Sequence, residues 1–323
     1  MTAVATPTAT TTTPSDLLRI ADLTATQLDA LLDLADEMKD GPIWWTAARH
    51  GMAVAYLFDT PSTHTRVSFE VAAHRLGMLP IMLRPDELQL GRGEPLADTA
   101  RVLSSYIAAI VVRTSAQATL EELADAASIP VINALTDDHH PCQALADLLT
   151  LRRHYGSLEG IRIAYVGDGN NVAHSLMEAG ALAGMHVTVA TPPGYEPDPE
   201  VAGITMELAD AHGGSIDVMH DPRSAVAGAD AVYTGAWVSM DEDAGHERRV
   251  RDFDAYQVDD ALMRAAAPEA VFMHCLPALR GLEVTAEVID GPSSIVWEQA
   301  ANRLPTEQAT LRTLTRSVHG AGR

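Results

Sequence analysis

The apolar positions of this chain fall into two alternating patterns. Leu28, Leu31, Leu32 and Leu34 recur at helical spacing behind Thr24, a good capping residue, and predict a helix over 23–39. A continuous apolar run then predicts a buried strand over 52–58. The alternation continues with helix 65–76, strand 79–83, helix 96–106, strand 109–113, helix 120–127 and strand 130–132. Between the second strand and the helix at 96, residues 84–94 are polar and glycine-rich and read as a loop. A helix over 143–155 is expected to bridge two halves, because the pattern restarts after Gly160. Strands follow at 161–166, 186–190, 215–219, 231–234 and 270–274, separated by helices 172–184, 201–212, 224–227 and 259–266. A last helix is predicted over 305–314, opening on Pro305. Alternating strands and helices mean parallel sheets flanked by helices. The expected fold is therefore α/β in two domains, 16–147 and 148–323, joined by an interdomain helix and closed by the last helix.

Composition narrows the function. The 323 residues are 47% hydrophobic, enough for two cores, and no apolar run reaches the length of a membrane span. The first 15 residues are rich in Thr, Ala and Pro, with neither a basic region nor an apolar one. They read as a disordered leader rather than a signal, and a cytoplasmic protein is expected. With 22 basic and 44 acidic residues the formal charge is −22, which argues against a nucleic-acid partner. Any anionic substrate then needs a local basic pocket against the global field. The two cysteines, Cys142 and Cys275, make no disulfide framework.

Candidate chemistry begins at residues 58–66, FDTPSTHTR, between a predicted strand and a predicted helix. The first turn of a helix presents unpaired N–H groups and a positive dipole end. Ser62, Thr63 and Thr65 add hydroxyls and Arg66 a fixed charge, a combination suited to phosphate. Residues read one at a time also allow an ordinary N-cap at Ser62 or Thr63. At 166–171, VGDGNN, two glycines match a dinucleotide fingerprint. However, Val172 stands at the third glycine position and no acid ends the next strand, so a nucleotide is not expected. Asn170 and Asn171 offer amides suited to a carboxylate, or a cap. The His, Cys and Asp of 137–142 match no standard zinc spacing, and no metal is expected. Cys275 invites a nucleophile reading, but no obvious base-orienting partner lies nearby in sequence. Arg280 and Glu283 read as a surface pair.

Taken in order, FDTPSTHTR, Val112-Arg113-Thr114, His140-Pro141-Cys142-Gln143, the DGNN turn, Trp237-Val238-Ser239-Met240, His274-Cys275-Leu276-Pro277 and Asn302-Arg303-Leu304 resemble the aspartate/ornithine carbamoyltransferase family, in its ornithine branch. The likeness runs from about Leu17 to Leu311. It implies that the first half binds carbamoyl phosphate, through Ser62, Thr63, His64, Thr65, Arg66, Arg113, His140, Gln143 and Arg303. The second half would bind an amine acceptor, through Asn171, Gly235, Ser239, Met240, Cys275 and Leu276. Arg113, His140, Gln143 and Cys275 would stand at the reacting carbon. No cofactor is implied. Homotrimers or multiples of trimers are, with residues 88–93 as a loop able to reach a neighbour.

The chain departs from that pattern at named positions. His64 stands where the family has the second arginine of STRTR, so a fixed charge becomes a titratable one. Gly235 replaces the aspartate of TDVW, Asp241 the glycine of SMG, Leu279 the second histidine of HCLPAHRG, and Ala301 the glutamate of AENR. Most of these lie on the acceptor side. Three readings follow: an ornithine enzyme, a paralogue carbamoylating another amine such as a 2,3-diaminopropionyl group, or a weakly active binding homologue. Gly235 is expected to leave room for an acceptor without a free α-ammonium.

Overall fold

The computed structural model describes residues 13–41, 49–84, 93–237 and 246–315. The expected leader (but for its last three residues), the candidate residues Ser239, Met240 and Asp241, and most of the loop 88–93 lie outside them.

Two parallel sheets form, as the alternating pattern requires. The first joins strands β1 (Ala53–Phe58), β2 (Leu79–Leu83), β3 (Ala109–Arg113) and β4 (Val131–Leu135) in the order β2-β1-β3-β4. The second joins β5 (Arg162–Val166), β6 (His186–Ala190), β7 (Ser215–Met219), β8 (Ala231–Thr234) and β9 (Val271–His274) in the order β7-β6-β5-β8-β9. Strands β3, β5 and β8, central in their sheets, are buried along almost their whole length and read accordingly as near-continuous apolar runs.

Helix α1 (Ala25–Asp40) starts where predicted: Thr24 Oγ1 accepts from the Gln27 N–H at 3.2 Å, and Gln27 Oε1 accepts from the Thr24 N–H at 2.8 Å. This reciprocal pair satisfies two donors that the first turn cannot. Helix α2 (Thr63–Arg75) follows β1, α3 (Leu96–Ser104) and α4 (Gln117–Ala126) flank β3, and α5 (Pro141–Tyr155) leaves the first sheet. Residues 141–151 of α5 are buried on every side. One core runs through this helix from Tyr56 and Val111 of the first sheet to Tyr165 and Val187 of the second.

Beyond α5 come α6 (Asn171–Leu182), α7 (Pro199–His212), α8 (Pro222–Val226), α9 (His246–Phe253), α10 (Asp260–Met263) and α11 (Ala286–Ile289). The last helix, α12, runs Val296–Leu314 and packs on α1, α2 and α5. This corrects the expected start at Pro305, which lies inside the helix. Proline lacks only the bond to the carbonyl four residues earlier, and that residue, Ala301, is exposed to water. Asn302 and Arg303 therefore sit on a helix rather than in a loop. Among the described residues, no helix is long and apolar enough to cross a membrane.

The DGNN turn is closed by the chain itself. Gly169 donates its N–H to the Tyr195 carbonyl at 2.9 Å, and a Cβ on Gly169 would lie 2.3 Å from the Pro197 nitrogen. The close approach that glycine permits is made here by backbone, where a dinucleotide site would present it to pyrophosphate. Gly169→Ala is expected to lower stability by about 1–3 kcal/mol, because backbone rather than a side chain must move. Denaturant titration measures it, and an unchanged midpoint would show that the 195–197 segment yields freely.

Candidate active site

The loops after β1, β3, β4, β5, β8 and β9 carry the candidate residues, so the carboxyl ends of both sheets face one cleft. From the first sheet, Arg113 ends β3 and donates through Nε to Thr60 Oγ1 at 2.9 Å. Burial first, then the Arg303 charge, pull its pKa down, while Asp59 opposes them. His140 sits at the N-cap of α5, its backbone N–H on Ser175 Oγ at 2.7 Å. Burial, then Arg303, then Arg113, push the imidazole well below its usual range, so it is neutral. Its Nδ1 is buried and makes no hydrogen bond to a described group.

Arg303, on α12, reaches back into the same place. Its Nη1 donates to Gln143 Oε1 at 2.9 Å and its Nη2 to Thr65 Oγ1 at 3.2 Å. Gln143 in turn donates to Asp147 Oδ1 at 2.8 Å, and Gln299 donates to the same oxygen at 2.7 Å. Burial raises the Asp147 carboxyl to about 6, against those hydrogen bonds. Two guanidiniums and a neutral imidazole thus converge with Thr65 and Gln143.

The other predicted phosphate residues line an adjoining groove, which Thr60, the partner of Arg113, also lines. Ser62 is the N-cap of α2, yet its side chain makes no cap hydrogen bond, so the first-turn N–H groups stay available and the plain capping reading fails. Ser62, Thr63 and Arg66 line a groove of about 620 Å³ with Thr60, Val67 and Arg84. Arg66 is paired there with Glu70 at 2.9 Å. His64 is exposed on the first turn of α2.

From the second sheet, Asn170 accepts from the Val172 and Ala173 N–H groups and is the cap of α6. Asn171 donates to the Thr136 carbonyl at 2.5 Å, which ties α6 to the loop before His140. Cys275 follows β9. Burial, then Asp147, push its thiol up to about 12, so it is protonated and no ready nucleophile. Leu276 holds a left-handed φ of 54°, and its N–H donates to His274 Nδ1 at 2.8 Å. That bond leaves His274 Nε2 as the donor to Glu283, at 3.2 Å. Glu283 is fully buried, so it is no surface partner of Arg280, which pairs instead with Asp290 at 2.7 Å. The correction has a simple cause: Glu283 also takes the Leu279 N–H, at 2.6 Å, and so braces the turn that presents Cys275 and Leu276.

Gly235 is buried, and the room expected beside it is occupied. A Cβ there would meet Tyr165 Oη at 2.9 Å and Cys275 Sγ at 3.8 Å. Tyr165 donates to Asn170 Oδ1 at 3.3 Å. Trp237 is buried against Phe253 of α9, and Arg249 of the same helix donates to the Trp237 carbonyl and pairs with Asp168. Among the described residues, no three His, Cys, Asp or Glu side chains gather as metal ligands would.

Residues of this cleft that the sequence did not point to include Thr60, Asp147, Tyr165, Gln299 and Glu307. Thr60 lay inside a quoted segment, and Tyr165 carried no signal beyond its place on a strand. Glu307 lies four residues after Arg303, a helical pair that is visible only if both belong to one helix.

A two-domain parallel α/β fold with a cationic pocket between its sheets is the class defined so far, and comparison with known proteins makes it specific. The model of the aspartate/ornithine carbamoyltransferase carbamoyl-P binding domain matches residues 15–153, and that of the Asp/Orn binding domain matches 159–314. The chain belongs to the aspartate/ornithine carbamoyltransferase family. It is 54% identical over 284 residues to ornithine carbamoyltransferase of Methanothermobacter thermautotrophicus, covering 88% of this chain and 94% of that protein. It is 50% identical to that of Acidothermus cellulolyticus, over 93% and 96% of the two chains. The solved ornithine carbamoyltransferase of Pyrococcus furiosus superposes with a TM-score of 0.90 at 46% identity, over 96% and 99%. That of Gloeobacter violaceus gives 0.86 at 45%, over 94% and 100%.

Proposed function

We propose that this protein moves the carbamoyl group of carbamoyl phosphate to a primary amine of ornithine or an ornithine-like diamino acid and releases phosphate. One observation carries the reading: Arg113, Arg303 and neutral His140 converge, with Thr65 and Gln143, at the mouth of the first sheet. Like charges held together in a strongly acidic protein are what a dianion would reward. In this reading residues 16–147 bind carbamoyl phosphate and 148–323 the acceptor, with α12 returning to the first domain. Ser62, Thr63, Thr65, Arg66, Arg113 and Arg303 hold the phosphate.

His140, Gln143 and Thr65 draw electron density from the carbonyl oxygen as the amine nitrogen attacks the carbon. The carbon–oxygen bond to phosphorus then breaks, phosphate departs with the bonding pair, and the amine proton leaves with it or to water. A protonated Cys275 takes no covalent part and, with Leu276 and Asn171, shapes the acceptor side. Holding two reactants in register can supply roughly 7–11 kcal/mol in favourable cases. The protein would act in the cytosol as a trimer or a multiple of trimers.

Phosphate release measured with ornithine, 2,3-diaminopropionate, putrescine and their Nα-acyl forms tests the reading. The acyl forms belong in the panel because, among the described residues, the group nearest a Cβ on Gly235 is the neutral Tyr165 hydroxyl rather than a carboxylate. Ornithine is expected to support turnover and give the ureido product. Phosphate release that no amine stimulates would overturn the assignment.

A further inference from the structure

We propose that Glu307 is a positioning residue of the phosphate half of the site: it fixes the Arg303 guanidinium and, by its own ionisation, sets how much of that cation's charge an incoming dianion meets. This rests on the phosphate reading of Arg303. Glu307 Oε1 takes both Arg303 Nε, at 3.1 Å, and Arg303 Nη2, at 2.8 Å. The remaining guanidinium face is turned to Gln143 and Thr65. Glu307 has no exposure to solvent, and Arg303 is 7% exposed. One carboxylate therefore aims the cation and also competes with the anion the cation is there to receive.

The groups around Glu307 fix the direction of the effect. Arg303 on its own helix is the facing cation. Tyr56 of β1 faces it as a neutral phenol already donating to the Phe69 carbonyl at 2.9 Å, with Glu70 of α2 beyond. Cys142 of α5 faces it as a thiol that burial keeps protonated. Burial raises the Glu307 carboxyl to about 7, against the Arg303 charge and, after it, the Ser68 hydroxyl of α2, both of which favour the ionised form. Asp147 and Arg113 act on Arg303 from the far side. Glu307 is thus divided between its two forms near neutrality. A dianion placed on Arg303 raises its pKa further, so binding takes up a proton. Affinity is then highest below the free-state pKa and falls as pH rises through it.

The test uses sulfate, a tetrahedral dianion that does not titrate in this range, as a competitor of carbamoyl phosphate. With one unit of coupling, binding to the wild type is expected to weaken about fivefold from one unit below to one unit above the Glu307 pKa, and on the order of tenfold between the two limits. Glu307→Gln keeps an acceptor for Arg303 but cannot ionise. It is expected to hold the low-pH affinity across the range. Parallel pH dependence in both proteins would overturn the proposal and leave the phosphate reading standing. Failure of sulfate to compete in either protein would overturn both. Calorimetry in buffers of different ionisation enthalpy gives a second reading: because Asp147, raised to about 6, also faces Arg303, proton uptake that the wild type shows and Glu307→Gln lacks supports the proposal, and equal uptake in both refutes it.

Discussion

Arg113→Ala is expected to weaken carbamoyl phosphate binding by about 10–100-fold, the loss of one charge-assisted contact of roughly 1.5–3 kcal/mol. Arg113 ends a buried strand, is aimed by Thr60, and is repelled by Arg303 in the same pocket. Removing it relieves that repulsion, so thermal stability should hold or rise slightly while affinity falls. This combination separates a binding role from a structural one, because a structural cation would take stability with it. Arg113→Lys keeps the charge but lacks the planar fork held by Thr60, and should recover only part of the loss. Titration calorimetry with carbamoyl phosphate decides the matter, and unchanged affinity in Arg113→Ala would remove this residue from the site.

For His140→Ala the expected result is a fall in kcat of about 10²–10³-fold, the usual effect of losing one donor to a developing oxyanion. The KM for the amine should change little. The bond from this residue to Ser175 is made by its backbone N–H and survives the substitution, so the start of α5 should stay intact. The pKa of His140 lies well below the usual imidazole range, and the neutral form needed as a donor is complete above it. An acid limb of the pH–rate profile near neutrality therefore belongs to another group and should persist in the variant. Steady-state kinetics across pH test both points. A kcat near that of the wild type would show that the carbonyl is polarised elsewhere.

Much of this molecule was legible in its sequence because its strands are short β-branched and apolar runs bounded by turn residues, whether buried like β3 and β8 or part-exposed like β6 and β7. Ala109–Arg113, His186–Ala190, Ser215–Met219 and Ala231–Thr234 were read to the residue. Helix α9, with its run of His, Glu and Arg, was not foreseen, since Val250 and Phe253 alone give no apolar stripe. Pro305 misled because proline at a helix start is the common case, whereas here it is buried inside α12 and the residue whose carbonyl it leaves unpaired, Ala301, is exposed.

The motif residues of the cleft could be named from their order along the chain. Their supports could not. Glu283, Asp147 and Glu307 are charged side chains with essentially no exposure, and a lone sequence gives such residues to the surface. Gly235 teaches the same lesson on the acceptor side. An absent side chain reads as empty space, but Tyr165, seventy residues earlier in the chain, stands there.

The return of α12 to the first sheet also orders events during synthesis. Everything that holds the front of the pocket, from Thr60 to Gln143, leaves the ribosome well before Arg303. Until α12 arrives, the faces of α1, α2 and α5 that it covers are bare, and Thr65 and Gln143 lack the guanidinium that bridges them. A nascent chain that has completed the strands of its first sheet is therefore still unable to hold carbamoyl phosphate as the finished protein would. Competence waits on Arg303, and a chain stalled before residue 303 would lack the cation that completes the pocket.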